Sequence, residues 1–309
     1  MEDIVKDLRL QFLRYKFFVR VHEKDGKIII WNDRKIKIEL DAEKIADIGE
    51  HWPLFVQGVI KIFHEKIKKY YDKMEKRMVS VIIPNYNNEM FLLKTIDSIL
   101  NQDYPDIEVI LVDDASTDQS VKLIEGKYGE DSRVRIFRNP ENKGAYYCRN
   151  RGLLISRGYY VTFVDGDDFI EKEKIGYEVS RLEKKKDCWG YGTRFRRLYI
   201  KDSIDNVVKV NESNSYVYLF RRELFNRLGY YQNNRFGADS ELIMRGRYWG
   251  YKFFRDEEKI FYNAYTVSGK NLTHIYRGKE RQDYIEEREE ALKNEEYIEM
   301  ALLEDKNWF

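Results

Sequence analysis

The sequence predicts an α/β fold in which a mostly parallel sheet is flanked by helices. Two observations lead to this prediction. Between residues 79 and 168, four runs of apolar and β-forming residues alternate with three segments of helical pattern. The apolar runs are nearly continuous, as in strands buried on both faces, and such strands are typical of parallel sheets. A chain of 309 residues with 43% hydrophobic content is also long enough to bury a substantial core.

Each element of this region follows from its side-chain pattern. The predicted strands are 79–84, 107–114, 134–139 and 158–168, and the predicted helices are 91–102, 120–129 and 144–156. The first helix, for example, places Leu92, Ile96 and Ile99 on one face. Ligands bind at the carboxyl ends of the strands in open parallel sheets, so the polar loops that follow these strands form the candidate site.

The regions on either side predict further parts of the molecule. Residues 1–77 carry two β-prone runs around Asp25-Gly26, as in a hairpin, and then apolar residues at helical spacing, which predicts a small mixed N-terminal module. Residues 78–275 are predicted to form the α/β domain, and residues 276–309 a C-terminal helical segment. After residue 168 the predicted elements are strands near 189–195 and 216–220 and helices near 222–229 and 239–250.

Composition excludes some classes of function. The 55 Lys and Arg residues nearly cancel the 54 Asp and Glu residues, so no nucleic-acid partner is expected. The N-terminus is charged from the second residue and no run of about 18 apolar residues occurs, which predicts a cytoplasmic protein without a transmembrane segment. Peripheral membrane attachment and oligomerisation both stay open. Cys148 and Cys188 are isolated in sequence and are predicted to be reduced, packed thiols.

Three polar loops follow the predicted strands, and two of them are acidic. They are "PNYNNE" from residue 84, "DDASTDQS" from residue 113 and "DGDD" from residue 165. Much of this polarity has a structural explanation. Asp113 can satisfy backbone amides in its turn, and Ser116, Thr117 or Asp118 can cap the next helix. The acids around Gly166 can likewise be ordinary turn residues.

Convergence of these loops would favour a different interpretation. Crowded carboxylates raise one another's pKa unless a cation neutralises them. Mg²⁺ or Mn²⁺ takes one or two carboxylates while substrate phosphates complete the shell. Lys143 and Arg149 stand near the start of the third helix, where a phosphate could meet both their charges and the helix N-terminus. The loops together therefore predict a divalent metal and a diphosphate ligand.

Three longer segments carry a resemblance to a known family. "VSVIIPNYNNEMFLLKTIDSILNQDYPDIEVILVDDASTDQS", "NPENKGAYYCRNRGLLISRGYYVTFVDGDDF" and "FGADSELIMR" resemble successive blocks of the family 2 glycosyltransferases, inverting enzymes of the GT-A fold. The resemblance spans roughly residues 79 to 265. It implies that residues 78–168 form a nucleotide-sugar-binding half and residues 169–275 an acceptor half.

The resemblance implies a role for each matching residue of the donor side. Pro84, Tyr86 and Glu89 should face the base and ribose of the nucleotide, and Asp114 should accept a hydrogen bond from the base. Asp165 and Asp167 match the family's D-x-D motif. Asp167 is then the expected direct metal ligand, with Asp165 nearer the ribose or a metal-bound water. His274 could match the late metal ligand of some GT-A enzymes, with a surface or packing role as the alternative. Arg149 is expected as a nucleotide ligand because of its charge near the start of the third helix.

The third block implies the catalytic base. Many members of the family have Glu-Asp where this chain has Ala238-Asp239. The departure leaves Asp239 as the matching base and Glu241 as the fallback. A role for Asp239 in capping the following helix is the structural alternative, and the two roles can coexist.

The implied activity is transfer of a sugar, from a UDP-sugar by preference, to an acceptor hydroxyl with inversion. The acceptor could be a glycan, a lipid-linked sugar or a protein. A sugar nucleotidyltransferase is one alternative, but it calls for a Gly-rich loop with Lys or Arg after the first strand, which "PNYNNEMF" lacks. A catalytically inactive carbohydrate- or nucleotide-binding protein is the other, although it would need neither a base nor a metal pair.

Overall fold

The computed structural model describes residues 20–31, 37–46, 48, 52–72, 78–201, 203–232, 234, 236–267 and 279–293. These residues fall into two compact units. The first unit holds the described residues within 1–76, 223–230 and 290–309, and the second holds those within 77–222 and 231–289. The domain boundaries predicted from the sequence stay predictions.

The first unit combines a small sheet with helices. Its elements are β1 Arg20–Lys24, β2 Lys27–Trp31, β3 Lys37–Asp41, α1 Ala42–Ala46, α2 Trp52–Asp72 and α7 Glu223–Leu228. The three strands pair antiparallel in the order β1-β2-β3. Asp25 and Gly26 both have positive φ, 51° and 69°, as a two-residue hairpin turn requires. The predicted hairpin is confirmed. Ile28, Ile30 and Phe63 are fully buried in this unit's apolar cluster.

The second unit contains the predicted α/β alternation. Its elements are β4 Val79–Asn85, α3 Leu92–Leu100, β5 Ile107–Asp113, α4 Ser120–Tyr128, β6 Val134–Arg138, α5 Ala145–Ile155, β7 Tyr160–Phe163, β8 Asp168–Ile170, α6 Lys174–Lys184, β9 Cys188–Ile200, β10 Val207–Arg221, α8 Ala238–Tyr248 and β11 Lys252–Val267. The last described helix is α9 Lys279–Lys293.

One sheet of eight strands organises this unit, in the order β6-β5-β4-β7-β10-β9-β11-β8. The pairs β4–β5, β5–β6, β4–β7 and β9–β11 are parallel, and the pairs β7–β10, β9–β10 and β8–β11 are antiparallel. Every residue of β4, β5 and β7 is buried. The prediction of a mostly parallel sheet in an α/β fold is confirmed.

Close packing fixes helix α5 over the middle of this sheet. A Cβ atom at Gly152 would collide with the side chain of Ile82 on β4. Glycine therefore lets the α5 backbone approach the strand and sets the position of the side chains at the helix start. Cys148, on the same helix, and Cys188 are both buried and free, as predicted.

The second half of the unit departs from the sequence prediction. The strands β9 and β10 are longer than expected, and β11 was not predicted. The charged run at residues 255–259 interrupts the β11 pattern. The structure accommodates this run by register shifts in the pairing of β11 with β9 between Asp256 and Tyr262. Among the described residues, no helix has the length and apolar character needed to cross a membrane.

Candidate active site

The loops after β4 and β5 are joined by buried polar contacts. The Asn85 side-chain amide donates to Asp113 Oδ1 at 2.8 Å, and the Ser116 backbone N–H donates to Asp113 Oδ2 at 3.1 Å. Asp113 is almost fully buried. The structural interpretation of Asp113 is confirmed, since its carboxylate satisfies a turn amide and fixes the neighbouring strand end.

Asp114 is also occupied by internal donors. Its carboxylate accepts from Asn139 Nδ2 at 2.7 Å, from the Lys143 backbone N–H at 2.9 and 3.1 Å, and from the Gly144 backbone N–H at 2.7 Å. These contacts hold the loop that leads into α5. Because both oxygens serve this loop, the structure gives Asp114 a scaffold role, and its contact with a base stays a prediction.

The other residues of the implied base pocket differ in exposure. Pro84 is buried in β4, whereas Tyr86 is 48% exposed. Glu89 joins the two loops, because its Oε2 accepts from the Gln119 N–H at 3.0 Å while its own N–H donates to Asp118 Oδ2 at 2.9 Å. Tyr86 is therefore the member of this group whose ring is open to a ligand.

Gly166 brings the acidic loop against the end of β4. Its N–H donates to the Pro84 carbonyl at 3.2 Å. A Cβ atom at this position would lie 2.8 Å from Asn88 Nδ2 and 2.9 Å from Asn85 Oδ1, so only glycine fits without a shift. Asp165 and Asp167 flank this glycine. The structure thus confirms that the loop after β4 and the acidic loop after β7 lie against each other, as predicted.

The carboxylates of the acidic loop are incompletely neutralised. Arg149 Nη2 donates to Asp165 Oδ1 at 2.6 Å. Burial, followed by the charge of Asp165, raises the pKa of Asp167 to about 7. Burial and the charges of Asp167 and Asp165 raise the pKa of Asp168 well above its ordinary value, although Tyr262 Oη donates to it at 2.8 Å. Simultaneous ionisation of these carboxylates is therefore unfavourable unless a further cation compensates their charge.

This donor set fits a hard divalent cation that completes its shell with substrate oxygens. In the part of the chain that the structure describes, no three His, Cys, Asp or Glu side chains are grouped to hold a metal by themselves. Mg²⁺ and Mn²⁺ commonly use only one or two carboxylates. The raised pKa of Asp167 is the observation that favours a cation at this place. His274 lies outside the described residues, and its role stays a prediction.

Asp239 stands exposed in the first turn of α8. The N-cap position belongs to Gly237, with φ of 77°, and no side chain caps this helix. The capping alternative for Asp239 is therefore not observed. Instead, Tyr146 Oη from α5 donates to Asp239 Oδ1 at 2.9 Å. An exposed carboxylate with a fixed orientation is suited to accept a proton from a bound hydroxyl.

Glu241, the fallback base, has a different environment. It is 0% exposed and forms two bonds with Arg245, Nε to Oε1 at 2.8 Å and Nη2 to Oε2 at 3.1 Å. Burial in this ion pair makes Glu241 less accessible to a substrate hydroxyl than the exposed Asp239, and its fallback role stays a prediction. The i,i+4 spacing of Glu241 and Arg245 was the signal in the sequence that indicated a helix ion pair.

Sequence reasoning missed the residues that bring α8 to the site. Asn150 on α5 donates through Nδ2 to the Tyr231 carbonyl at 2.8 Å and accepts from the Tyr231 N–H at 3.0 Å. The Tyr231 ring packs 5.6 Å from that of Tyr146. No local pattern reveals contacts that span some 80 residues. Lys143, by contrast, is exposed with its ammonium 3.3 Å from Glu141, and its phosphate role stays a prediction.

Curated relatives match parts of the chain. An uncharacterised glycosyltransferase of Haemophilus influenzae is 45% identical over 107 residues, covering 35% of this chain and 43% of the relative. The uncharacterised glycosyltransferase EpsJ of Bacillus subtilis is 32% identical over 206 residues, covering 59% of this chain and 58% of EpsJ. The chain thus matches about half the length of these relatives.

Solved structures share the fold. TarS of S. aureus in complex with UDP-GlcNAc has a TM-score of 0.55 at 22% identity, covering 75% of this chain and 72% of that chain. The mannosyltransferase PcManGT of Pyrobaculum calidifontis, in complex with GDP-Man and Mn²⁺, has a TM-score of 0.53 at 19% identity, covering 76% and 79%. These likenesses confirm the GT-A fold.

The family comparison agrees with this fold and with the order of the loops around the site. The family model described as glycosyl transferase family 2 matches residues 80–259, which include both acidic loops and Asp239. The resemblance inferred from the sequence is confirmed, and the chain belongs to glycosyl transferase family 2.

Proposed function

We propose that this protein is a glycosyltransferase that moves a sugar from a nucleotide-sugar donor, preferably a UDP-sugar, to an acceptor hydroxyl with inversion. One observation carries the proposal. The guanidinium of Arg149 bonds to Asp165 and lies 5.1 Å from the Tyr146 ring, whose hydroxyl bonds to Asp239. These contacts connect the acidic loop, which could bind a diphosphate and its cation, with the exposed carboxylate of Asp239, which could accept a proton.

The donor side follows from the acidic loop. Asp167 and Asp165 would hold a divalent cation, which when bound supplies electrostatic stabilisation of the negative charge that grows on the leaving diphosphate. Arg149 adds a fixed positive charge beside it. The two solved structures of similar fold support this assignment, because one is a complex with UDP-GlcNAc and the other a complex with GDP-Man and Mn²⁺.

The acceptor side follows from Asp239. Its carboxylate takes the proton of an acceptor hydroxyl while that oxygen attacks the anomeric carbon from the face opposite the diphosphate. A single displacement of this kind inverts the anomeric centre, as in inverting glycosidases. No covalent enzyme intermediate is required. The acceptor itself could be a glycan, a lipid-linked sugar or a protein.

A screen of nucleotide sugars with Mn²⁺ tests the proposed function. We expect the wild type to release nucleoside diphosphate from at least one donor. Asp239→Asn should then lower kcat by about 10² to 10⁴ with little change in donor binding, because asparagine keeps the shape but cannot accept the proton. Asp205→Asn, a change of an exposed acid between β9 and β10, is the matched control and should leave kcat unchanged.

Two outcomes would contradict the proposal. Absence of diphosphate release from every donor would contradict the activity itself, and release of pyrophosphate from a nucleoside triphosphate and a sugar phosphate would favour a nucleotidyltransferase. A fully active Asp239→Asn would contradict the base assignment alone. Thermal melts of each variant separate loss of folding from loss of chemistry.

A further inference from the structure

Tyr146 reaches Asp239 from a buried position on α5. Its side chain is only 8% exposed, yet its hydroxyl reaches the exposed carboxylate of Asp239. The distance from Tyr146 Oη to Asp239 Oδ1 is 2.9 Å. Among the described residues, Tyr146 is the one side chain that donates to this carboxylate. It therefore fixes Oδ1, and no residue that the structure describes donates a hydrogen bond to Oδ2.

The position of the Tyr146 hydroxyl is itself fixed by α5. The ring packs 5.6 Å from the ring of Tyr231, whose backbone is held at both its N–H and its carbonyl by Asn150. The Arg149 guanidinium lies 5.1 Å from the Tyr146 ring centre. Burial raises the pKa of Tyr146 well above its ordinary value, so the hydroxyl stays protonated and can act as a donor.

We propose that Tyr146 is a positioning residue for the transfer reaction, holding Asp239 so that Oδ2 receives the acceptor's proton. The inference rests on the proposed function. In the step, the acceptor oxygen forms a bond with the anomeric carbon and its proton passes to Asp239 Oδ2. The bond from the anomeric carbon to the diphosphate oxygen breaks, and its electron pair leaves with the nucleoside diphosphate. Tyr146 keeps its own proton throughout.

A purely structural role for the same bond makes a different prediction. Tyr146 also ties the start of α8 to α5, and loss of this hydrogen bond would lower stability whether or not it serves the reaction. In that case Tyr146→Phe would lower the melting temperature and leave kcat unchanged. A positioning role instead requires a kinetic effect that depends on the presence of the Asp239 carboxylate.

Tyr146→Phe is the first variant of the test, assayed with a donor that the wild type consumes. We expect kcat to fall about 10- to 100-fold, the cost of a misplaced catalytic group, with the donor KM and the Kd for UDP unchanged. Tyr191→Phe is the matched control. It removes a similar bond from a similarly buried tyrosine, Tyr191 Oη to Asp256 Oδ2 at 2.8 Å, and should leave kcat unchanged.

The double variant Tyr146→Phe/Asp239→Asn completes the cycle. If Tyr146 acts through Asp239, the double variant should be no slower than Asp239→Asn alone, because the group being positioned is already lost. If Tyr146→Phe does not fold, 3-fluorotyrosine at position 146 keeps the ring and strengthens the hydroxyl as a donor. It should change kcat without changing the donor KM.

Three results would overturn the inference: wild-type kcat in folded Tyr146→Phe, full multiplication of the two effects in the double variant, or wild-type kcat in the fluorinated protein. Failure of the proposed function is recognised separately. In that case the wild type itself would release no diphosphate from any nucleotide sugar, and the inference would fall with it.

Discussion

The two edges of the parallel strands carry acids in opposite electrostatic states. At the amino edge, Glu108 at the start of β5 accepts from Ser80 Oγ at 2.7 Å, from the Arg157 N–H at 2.5 Å and from Arg157 Nε at 3.1 Å, with Arg135 Nη1 at 3.2 Å. Burial by itself would raise the pKa of Glu108, but the hydrogen bonds from Ser80 and Arg157 outweigh it and hold the pKa below its ordinary value.

At the carboxyl edge the balance is reversed. No other described residue donates a hydrogen bond to Asp167, and burial together with Asp165 raises its pKa to about 7. The comparison teaches how to separate scaffold from site among acids that look alike in sequence. A carboxylate surrounded by donors supports the fold, whereas one without such donors and with a raised pKa is a candidate for ligand binding.

Replacement of Glu108, the acid surrounded by donors, should have the largest effect on stability. We expect Glu108→Gln to lower the free energy of unfolding by about 1–3 kcal/mol, because a neutral amide cannot satisfy the donors of Ser80, Arg135 and Arg157. Urea unfolding at pH 7 measures this. Glu130→Gln, at an exposed position, is the control and should change stability by less than about 0.5 kcal/mol. Equal stability of the two variants would break the comparison.

The stability difference between wild type and Glu108→Gln should depend on pH. Because the pKa of Glu108 is lower in the folded state than the ordinary value of 4.5, its contribution is complete above pH 4.5 and is lost as the pH falls through the folded pKa. The stability difference between wild type and Glu108→Gln should therefore be constant from pH 6 to 8 and shrink below 4.5. A difference that grows in acid would reverse the sign and contradict the assignment.

Replacement of Asp167, the acid without donors, should have the smallest effect on stability. In a metal chelator, Asp167→Asn should leave the free energy of unfolding unchanged or raise it by up to about 1 kcal/mol, because it removes the repulsion from Asp165 and Asp168. Urea unfolding in EDTA checks this. A loss greater than about 1 kcal/mol would show that Asp167 supports the fold as Glu108 does.

The sequence predicted the elements whose signal is local. The apolar runs of β4, β5 and β7 predicted strands correctly because those strands are buried on both faces and are therefore almost continuously apolar. β11 was missed because the charged run 255–259 hides a strand that continues across an irregular pairing. The length of β9 was underestimated for a related reason, since its arginines face partners on other strands, as Arg196 does with Asn263 at 2.5 Å.

The site was predictable in outline and not in its contacts. The convergence of the loops after β4 and β7 follows from parallel topology, and the scaffold role of Asp113 follows from turn chemistry. Two contacts depend on tertiary packing instead. The Lys143 N–H that donates to Asp114 is 29 positions from it in sequence, and Tyr146 is 93 positions from Asp239. The sequence carries no periodicity at such separations.

Calorimetric titration of UDP with and without Mn²⁺, on wild type and Asp167→Asn, tests the central claim most directly. The claim is that the uncompensated charge at the carboxyl edge is a cation site for a nucleoside diphosphate. We predict that removal of Mn²⁺ weakens wild-type binding by at least about tenfold, equivalent to about 1.4 kcal/mol, and that Asp167→Asn in Mn²⁺ binds as weakly as wild type without it. Equal affinity in all four titrations would contradict the claim.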